Sequence, residues 1–176
     1  MDFSKIKTND WLVIGGALGM IIFGLFVDWI SVDAGGFGSA SAGNAFDFFF
    51  TGTVPWLLVV AAGVVTVLRT QDKIGENLPW NLLILAATVL AAVLLLIRLI
   101  FNPGVSDFAD RGIGMILSVI SGLVAAAGAV MAYTAAGGSL SDLTNVDKLK
   151  GAFDKPASAT GPAVDDTPPP PPPPAD

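Results

Sequence analysis

Long apolar runs, separated by shorter polar segments, dominate the pattern of the chain. A helix rises about 1.5 Å per residue, so about 20 apolar residues cross a hydrocarbon core roughly 30 Å thick. The first run is the shortest and reaches that length only if its helix continues past Asp28 to Ile30. The pattern predicts an all-α membrane protein, a bundle of four transmembrane helices. The predicted spans are residues 11–30, 54–69, 79–101 and 112–136.

The composition agrees with this class of protein. Hydrophobic residues make up 53% of the chain and charged residues 14%, whereas roughly 25% of the residues of an average soluble protein are charged. This number of charged residues is too small to cover the exterior of a soluble fold. A lipid-facing exterior needs none, because the bilayer is itself an apolar solvent.

The first run has two interpretations. Lys5 and Lys7 followed by an apolar stretch resemble a signal peptide, and Ala40-Ser41-Ala42 resembles its cleavage site. The triplet lies well beyond the apolar run, whereas cleavage sites follow that run closely. We therefore favour an uncleaved helix, preceded by a short cytoplasmic N-terminus at residues 1–10.

The placement of the basic residues predicts the orientation of the chain. One side would carry Lys5, Lys7, Arg69, Lys73, Lys148, Lys150 and Lys155, and the other only Arg98 and Arg111. The more basic side is expected to face the cytoplasm, together with both termini. The loop at residues 31–47 has no basic residue and is expected to lie outside.

The segment after the fourth run changes character twice. Apolar residues at spacings of three and four from Leu140 to Phe153 predict an amphipathic juxtamembrane helix at residues 139–155. Residues 156–176 are rich in proline and predict a disordered tail. The run Pro168–Pro174 would bind an aromatic-lined groove of a cytoplasmic partner, or would serve as a spacer or solubilising tail.

Small residues recur at four-residue spacing on the fourth span and, in a shorter form, on the first. These candidate helix-packing residues are Gly114, Ser118, Gly122 and Ala126, with Gly15 and Gly19. Small side chains let two helix backbones approach closely within lipid. Such faces either bind another membrane protein or a second copy, or pack within the bundle itself.

Three charged residues are the other candidates. Arg98 lies near the outer end of the third span, and a charge within a span is a functional candidate. Alternatively, Arg98 extends to the interface or pairs with Asp28, Asp107 or Asp110. Asp28 and Asp47 belong to a group of aspartates on the predicted outer side, without the dense spacing of a calcium loop.

Several kinds of chemistry are excluded or disfavoured by composition. The chain has no cysteine and no histidine, which removes thiol chemistry, the commonest general acid-base and the commonest metal ligand. It has no basic cluster for nucleic acid. No ionisable residue lies at the middle of a predicted span, which argues against a proton relay or ion-coupled transport. We therefore predict no enzyme activity, cofactor or metal.

Two segments carry a resemblance in layout. The first span ends in Asp28-Trp29-Ile30-Ser31-Val32, and the second begins with Ala45-Phe46-Asp47-Phe48-Phe49-Phe50-Thr51-Gly52-Thr53-Val54-Pro55-Trp56. With the Ala/Pro-rich tail, the chain resembles small four-pass membrane proteins of actinobacteria over residues 10–135. The resemblance implies a bacterial inner (plasma) membrane and a cell-envelope context. It implies no catalytic residue.

Our leading functional hypothesis is a non-catalytic accessory or scaffold membrane protein of a cell-envelope complex. Its partners would be membrane lipids, another membrane protein or a second copy, and a cytoplasmic protein bound to the tail. A small transporter or channel subunit that acts as an oligomer is the first alternative. A lipid-handling protein or enzyme that uses the outer aspartates is the second.

Overall fold

The computed structural model describes residues 3–33, 39–75, 78–101, 109–145, 147, 150, 151 and 153. Four long helices dominate it: α1 (Thr8–Leu25), α2 (Val54–Thr70), α3 (Trp80–Phe101) and α4 (Ile113–Ala135). A π-helical turn, Phe49–Thr53, leads directly into α2. All four are long and apolar enough to cross a membrane. The four predicted helices are therefore confirmed, and the last three agree with their predicted spans to within one residue.

The predicted bounds of the first helix are wrong at both ends. The helix begins at Thr8, where the Asp10 carboxylate accepts a 3.2 Å hydrogen bond from the Lys7 backbone N–H. A carboxylate in the first turn satisfies a free N–H and is favoured by the helix dipole. The helix ends at Leu25, because the chain turns there and Ile30 enters a strand.

Consecutive helices pack as neighbours, and α1 closes the bundle against α4. The α1–α4 contact is made by backbone. A Cβ atom at Gly16 would lie 2.6 Å from the Ser121 carbonyl oxygen and 2.7 Å from the Ala125 Cβ. At the other end of the contact, a Cβ at Gly128 would lie 2.7 Å from the Asn9 carbonyl oxygen. Only glycine allows the two helices to approach this closely.

The remaining contacts follow the same rule. Gly63 of α2 lies directly against Ala17 of α1. Gly122 of α4 faces Leu95 of α3, whose Cδ1 would be 2.7 Å from an added Cβ. The interior is thus built largely from small side chains between closely packed helices.

Large apolar side chains lie on the outside. Those at least one-third exposed on the helices include Leu18, Ile22, Leu57, Val64, Val89, Leu90, Val93, Ile97, Ile116, Ile120 and Leu123. This arrangement is the reverse of a soluble bundle, which buries its large apolar residues and exposes polar ones. A surface this apolar must be covered by lipid or protein. The four helices therefore support a multi-pass membrane protein.

The all-α prediction is wrong at one end of the bundle, where a small antiparallel sheet forms. Its strands are β1 (Ile30–Asp33), β2 (Ser39–Gly43) and β3 (Ala109–Arg111), in the order β2-β1-β3. Ser31 pairs with Ser41 and with Asp110. The sheet could not be predicted from the sequence pattern, because β2 consists of small residues without the alternation typical of a strand. Moreover, β3 reaches β1 only once the helices have packed.

Two short helical turns complete the same end. The 3-10 helix Ala45–Asp47 precedes the π-helical turn Phe49–Thr53. The Asn44 side chain accepts a 2.8 Å hydrogen bond from the Phe46 N–H and caps the 3-10 helix. We call the assembly of the three strands and these two turns the platform.

The segment beyond α4 is described only in part. A 3-10 helix, Leu140–Thr144, occupies the start of the predicted amphipathic segment 139–155. Most of the rest of that segment lies outside the described residues, and so does the proline-rich tail 156–176 with Pro168–Pro174. The amphipathic helix and the disordered tail stay predictions.

Adjacent glycines of α1 provide a matched test of the helix contact. Gly16→Leu places a side chain against the α4 backbone and should lower the free energy of unfolding by about 1–3 kcal/mol or more. Gly15→Leu should change it little, because a Cβ at Gly15 meets no atom within 4 Å. Both substitutions add the same apolar group, so titration with SDS in mixed micelles compares packing alone. Equal destabilisation would contradict the close α1–α4 approach.

Candidate functional site

Trp29 joins the platform to the bundle. Its side chain is fully buried, and the indole N–H donates to the Phe23 carbonyl at 3.1 Å. Its backbone N–H donates to Gly43 of β2, and its carbonyl accepts from the Gly112 N–H, both at 2.9 Å. A tryptophan at the end of an apolar run is typical of an anchor at the membrane interface. Trp29 is instead covered by the platform.

Glycines at the start of α4 allow the platform to dock. Gly112 lies directly on the carbonyl of Asp28, and Gly114 on that of Val27. The Gly114 N–H donates to the Asp28 carbonyl at 3.0 Å. Asp28, predicted as a structural or functional charge, thus contributes its backbone to this junction, while its side chain remains exposed.

Arg98 is completely buried beneath the platform. Its guanidinium carbon lies 3.4 Å from the centroid of the Phe48 ring. The attraction between a cation and an aromatic face offsets part of the cost of removing the charge from water. Of the alternatives considered for Arg98, extension to the interface does not agree with this burial, because Phe48 folds back and encloses the side chain.

Ser118 of α4 is a second buried polar group at this end. Its side chain is fully buried, and its hydroxyl has no hydrogen-bond partner among the described residues. The buried hydroxyls of Thr66, Thr88 and Ser121 each donate 2.8 Å bonds to a carbonyl one turn back in their own helix. The Ser118 hydroxyl therefore does not make the hydrogen bond to its own helix that buried helical hydroxyls usually make.

The α3–α4 contact places Arg98 and Ser118 at the same level. Leu95 faces Gly122 across this contact. The two helices run in opposite directions, so one turn towards the platform leads from Leu95 to Arg98 and from Gly122 to Ser118. With about 1.5 Å per residue, the two side chains leave their helices at nearly the same height.

Trp56 of α2 carries a third polar group at the platform end of the bundle. Its indole packs on Gly24, where an added Cβ would lie 2.6 Å from the Trp56 Cδ1. It also lies against the Phe46 ring, with 5.2 Å between centroids. The indole N–H is buried and has no hydrogen-bond partner among the described residues. We call Trp56, Arg98 and Ser118 the donor layer.

The structure buries some of the predicted helix-packing residues and exposes others. Gly114, Ser118 and Gly122 are buried within the bundle, and Ala126 is half-buried. On α1, Gly19 lies against the Ser121 side chain, whereas Gly15 is exposed. The closest contact uses Gly16 instead, one residue from the predicted position, because the turn of α1 directs Gly16 towards α4.

Asp47 has a local structural role. Its carboxylate accepts a 2.7 Å hydrogen bond from the Asn44 N–H and closes the capping box of the 3-10 helix. Within the described part of the chain, no group of three or more potential metal ligands comes together. The Asp47 side chain is exposed. Its role is to hold the local shape of the platform through this hydrogen bond.

Sequence reasoning missed Phe48 and Trp56 as parts of the site. Phe48 lies in a run of phenylalanines whose members look alike in sequence, and only its neighbours Phe49 and Phe50 are largely exposed. Trp56 resembles an interface anchor. All three residues of the donor layer carry hydrogen-bond donors.

No family model matches the chain, and no curated protein or solved structure matches it.

A double-mutant cycle tests the contact between Arg98 and Phe48. Phe48→Leu should lower the free energy of unfolding more in the wild-type background than in Arg98→Met, because methionine needs no aromatic partner for a charge. The expected coupling energy is about 0.5–2 kcal/mol. Unfolding in detergent measures all four proteins, and additive effects would contradict the contact.

Proposed function

We propose that the protein is a non-catalytic accessory or scaffold protein of a membrane complex in the cell envelope. The bundle anchors the chain in the bilayer, and the platform offers a fixed surface at one membrane face. The observation that carries this proposal is the docked platform. Trp29 and the glycines at the start of α4 hold it against the helix ends through backbone hydrogen bonds, and the Trp29 indole N–H adds a bond to the Phe23 carbonyl.

The proposed orientation places the platform outside the cytoplasm of a bacterial inner membrane. Lys5 and Arg69 lie at the opposite end of the bundle, where Lys5 pairs with Asp72 at 2.6 Å and Arg69 donates to Asn81. Arg111 belongs to the platform itself. This distribution supports cytoplasmic termini, because basic residues concentrate on the cytoplasmic side.

A partner surface is available on α1. The small residues of α4 are largely occupied within the bundle, whereas Gly15 is open to the outside. Trp11, Leu18 and Ile22 are about half exposed and share a helical face with Gly15. A helix of another membrane protein, or of a second copy, packs against such a face. The tail would bind a cytoplasmic partner.

The alternatives receive less support. Arg98 is a buried charge in a span, which favours a transporter or channel subunit. On the same face of α3, however, Leu95, Ala91 and Thr88 are all fully buried, so tight packing continues below Arg98. An enzyme built on the aspartates would use Asp47, whose carboxylate is engaged in helix capping.

The partner face is tested by affinity purification from native membranes in mild detergent, followed by mass spectrometry. Gly15→Leu should reduce recovery of a stoichiometric partner at least about tenfold, because a side chain blocks close helix approach. The matched control is Val89→Leu, which enlarges an exposed residue of α3.

Deletion of residues 139–176 separates the two proposed contacts. Partners lost only with this segment are bound by the tail, and partners lost only with Gly15→Leu are bound by α1. Recovery of no partner from any form would contradict the scaffold proposal, and solute flux in liposomes would then test the transporter alternative.

A further inference from the structure

A pair of glycines ends α4 and turns the chain sharply. The Gly138 N–H donates to the Tyr133 carbonyl at 3.1 Å, and the Gly137 N–H donates to the Thr134 carbonyl at 3.0 Å. Gly137 has a φ of 84°, in the left-handed region that favours glycine. These features define a Schellman motif. An added Cβ at Gly138 would lie 2.5 Å from the Tyr133 ring, so the chain leaves α4 in close contact with this ring.

The segment after this turn packs back onto the end of the bundle. Leu143, in the 3-10 helix Leu140–Thr144, is half-buried and packs against a cluster of buried apolar side chains. All four helices contribute to this cluster, which consists of Val13, Ala62, Ile84, Leu85 and Ala129. Val13 and Ala129 lie within two turns, or about 11 Å, of the first residue of α1 and the last residue of α4. Leu143 therefore contacts the interior of the bundle from the end at which α4 terminates.

Leu140 lies on the same side of the 3-10 helix as Leu143. Side chains three residues apart eclipse one another in this helix, because it has about three residues per turn. Leu143 faces the bundle, so Leu140 also faces the bundle side of the segment, yet it is 49% exposed. In a bundle that spans a membrane, the helix ends are surrounded by the lipid interface. This geometry directs the exposed part of Leu140 towards lipid.

A second exposed apolar residue follows in the same segment. The Asn145 side chain accepts a 3.1 Å hydrogen bond from the Asp147 N–H, which is the usual bond of a residue that begins a helix. Residues 147, 150, 151 and 153 are helical. Among them, Asp147 and Lys150 are exposed, and Phe153 is 51% exposed. A segment that combines exposed apolar and charged side chains suits the boundary between lipid and water.

We propose that this segment binds the surface of the membrane leaflet in which α4 ends, which is the cytoplasmic leaflet in the proposed orientation. We call the segment the strap and define it as Leu140–Thr144 with the helical residues 147, 150, 151 and 153. Leu143 holds the strap against the bundle, while Leu140 and Phe153 insert between lipid headgroups. The inference rests on the membrane location in the proposed function and is independent of the scaffold role.

The contacts with the bundle and with lipid support one another. A short helical segment is marginal in water by itself. Leu143 fixes the strap at the level of the helix ends, so Leu140 and Phe153 reach the lipid at a smaller loss of conformational entropy. The tail at residues 156–176 then starts at the membrane surface. A cytoplasmic protein bound by the tail would therefore be held beside the lipid.

The test uses the full chain in vesicles of phosphatidylethanolamine and phosphatidylglycerol. The chain has no cysteine, so a single introduced cysteine can carry the environment-sensitive fluorophore NBD. Leu140→Cys and Phe153→Cys should give emission about threefold stronger than Asp147→Cys, because their labels lie in a less polar medium. Lipids that carry a quencher near the headgroup should quench the first two labels and not the third. Asp147→Cys is the matched control, since it is an exposed position in the same strap.

A second pair of variants tests the contact of Leu143 with the bundle. In the chain labelled at Phe153→Cys, Leu143→Ser should lower the emission at least about twofold, because the apolar contact that holds the strap is lost. Leu78→Ser is the matched control and should leave the emission unchanged, because Leu78 is an exposed leucine outside the strap. The three labelled positions are all exposed, so the first experiment does not depend on a variant that fails to fold.

Each contrary result has a distinct meaning. Equal emission from the three labels in a chain that inserts normally into vesicles would overturn the strap alone. Strong emission at Leu140→Cys and Phe153→Cys that the lipid quencher does not reduce would overturn lipid as the partner and identify protein as the cover. Equal emission from Leu143→Ser and Leu78→Ser would overturn the role of Leu143. Failure of the wild-type chain to insert would overturn both the strap and the proposed membrane function.

Discussion

The close approach of α1 and α4 is the contact on which the rest of the structure depends. Large apolar side chains cannot drive helix association within lipid, because lipid tails are equally apolar. Contact between backbones must do so, and Gly16 and Gly128 make it here by removing side chains from both ends of the interface. The platform has no separate core. It packs on the ends of these helices, so their spacing determines whether its strands can meet.

Trp29 shows how the platform and the bundle stabilise one another. Its ring fills the space above the helix ends, and its backbone pairs with both β2 and the start of α4. A sheet of three very short strands would be marginal alone. The bundle supplies the surface that the platform covers. The platform in turn covers Arg98. Stability at this end is therefore shared between the sheet and the helices.

The donor layer differs from the rest of the interior in the hydrogen bonding of its polar groups. Elsewhere, buried hydroxyls such as that of Thr88 are satisfied by their own helix. Ser118 and Trp56 are not satisfied in this way, and buried polar groups without partners destabilise the folded state. The unsatisfied groups of the donor layer therefore add a cost to folding that packing elsewhere in the bundle must offset.

The sequence by itself determined the four helices, because each apolar run is long enough and few charges interrupt it. It also identified the fourth span as rich in small residues, since their spacing is a local signal. It could not identify Gly16 rather than Gly15, the enclosure of Arg98 by Phe48, or the sheet. These depend on which face of each helix turns inward and on contacts between distant segments. Only the packed helices decide them, because they bring β3 to β1 and Ser118 level with Arg98.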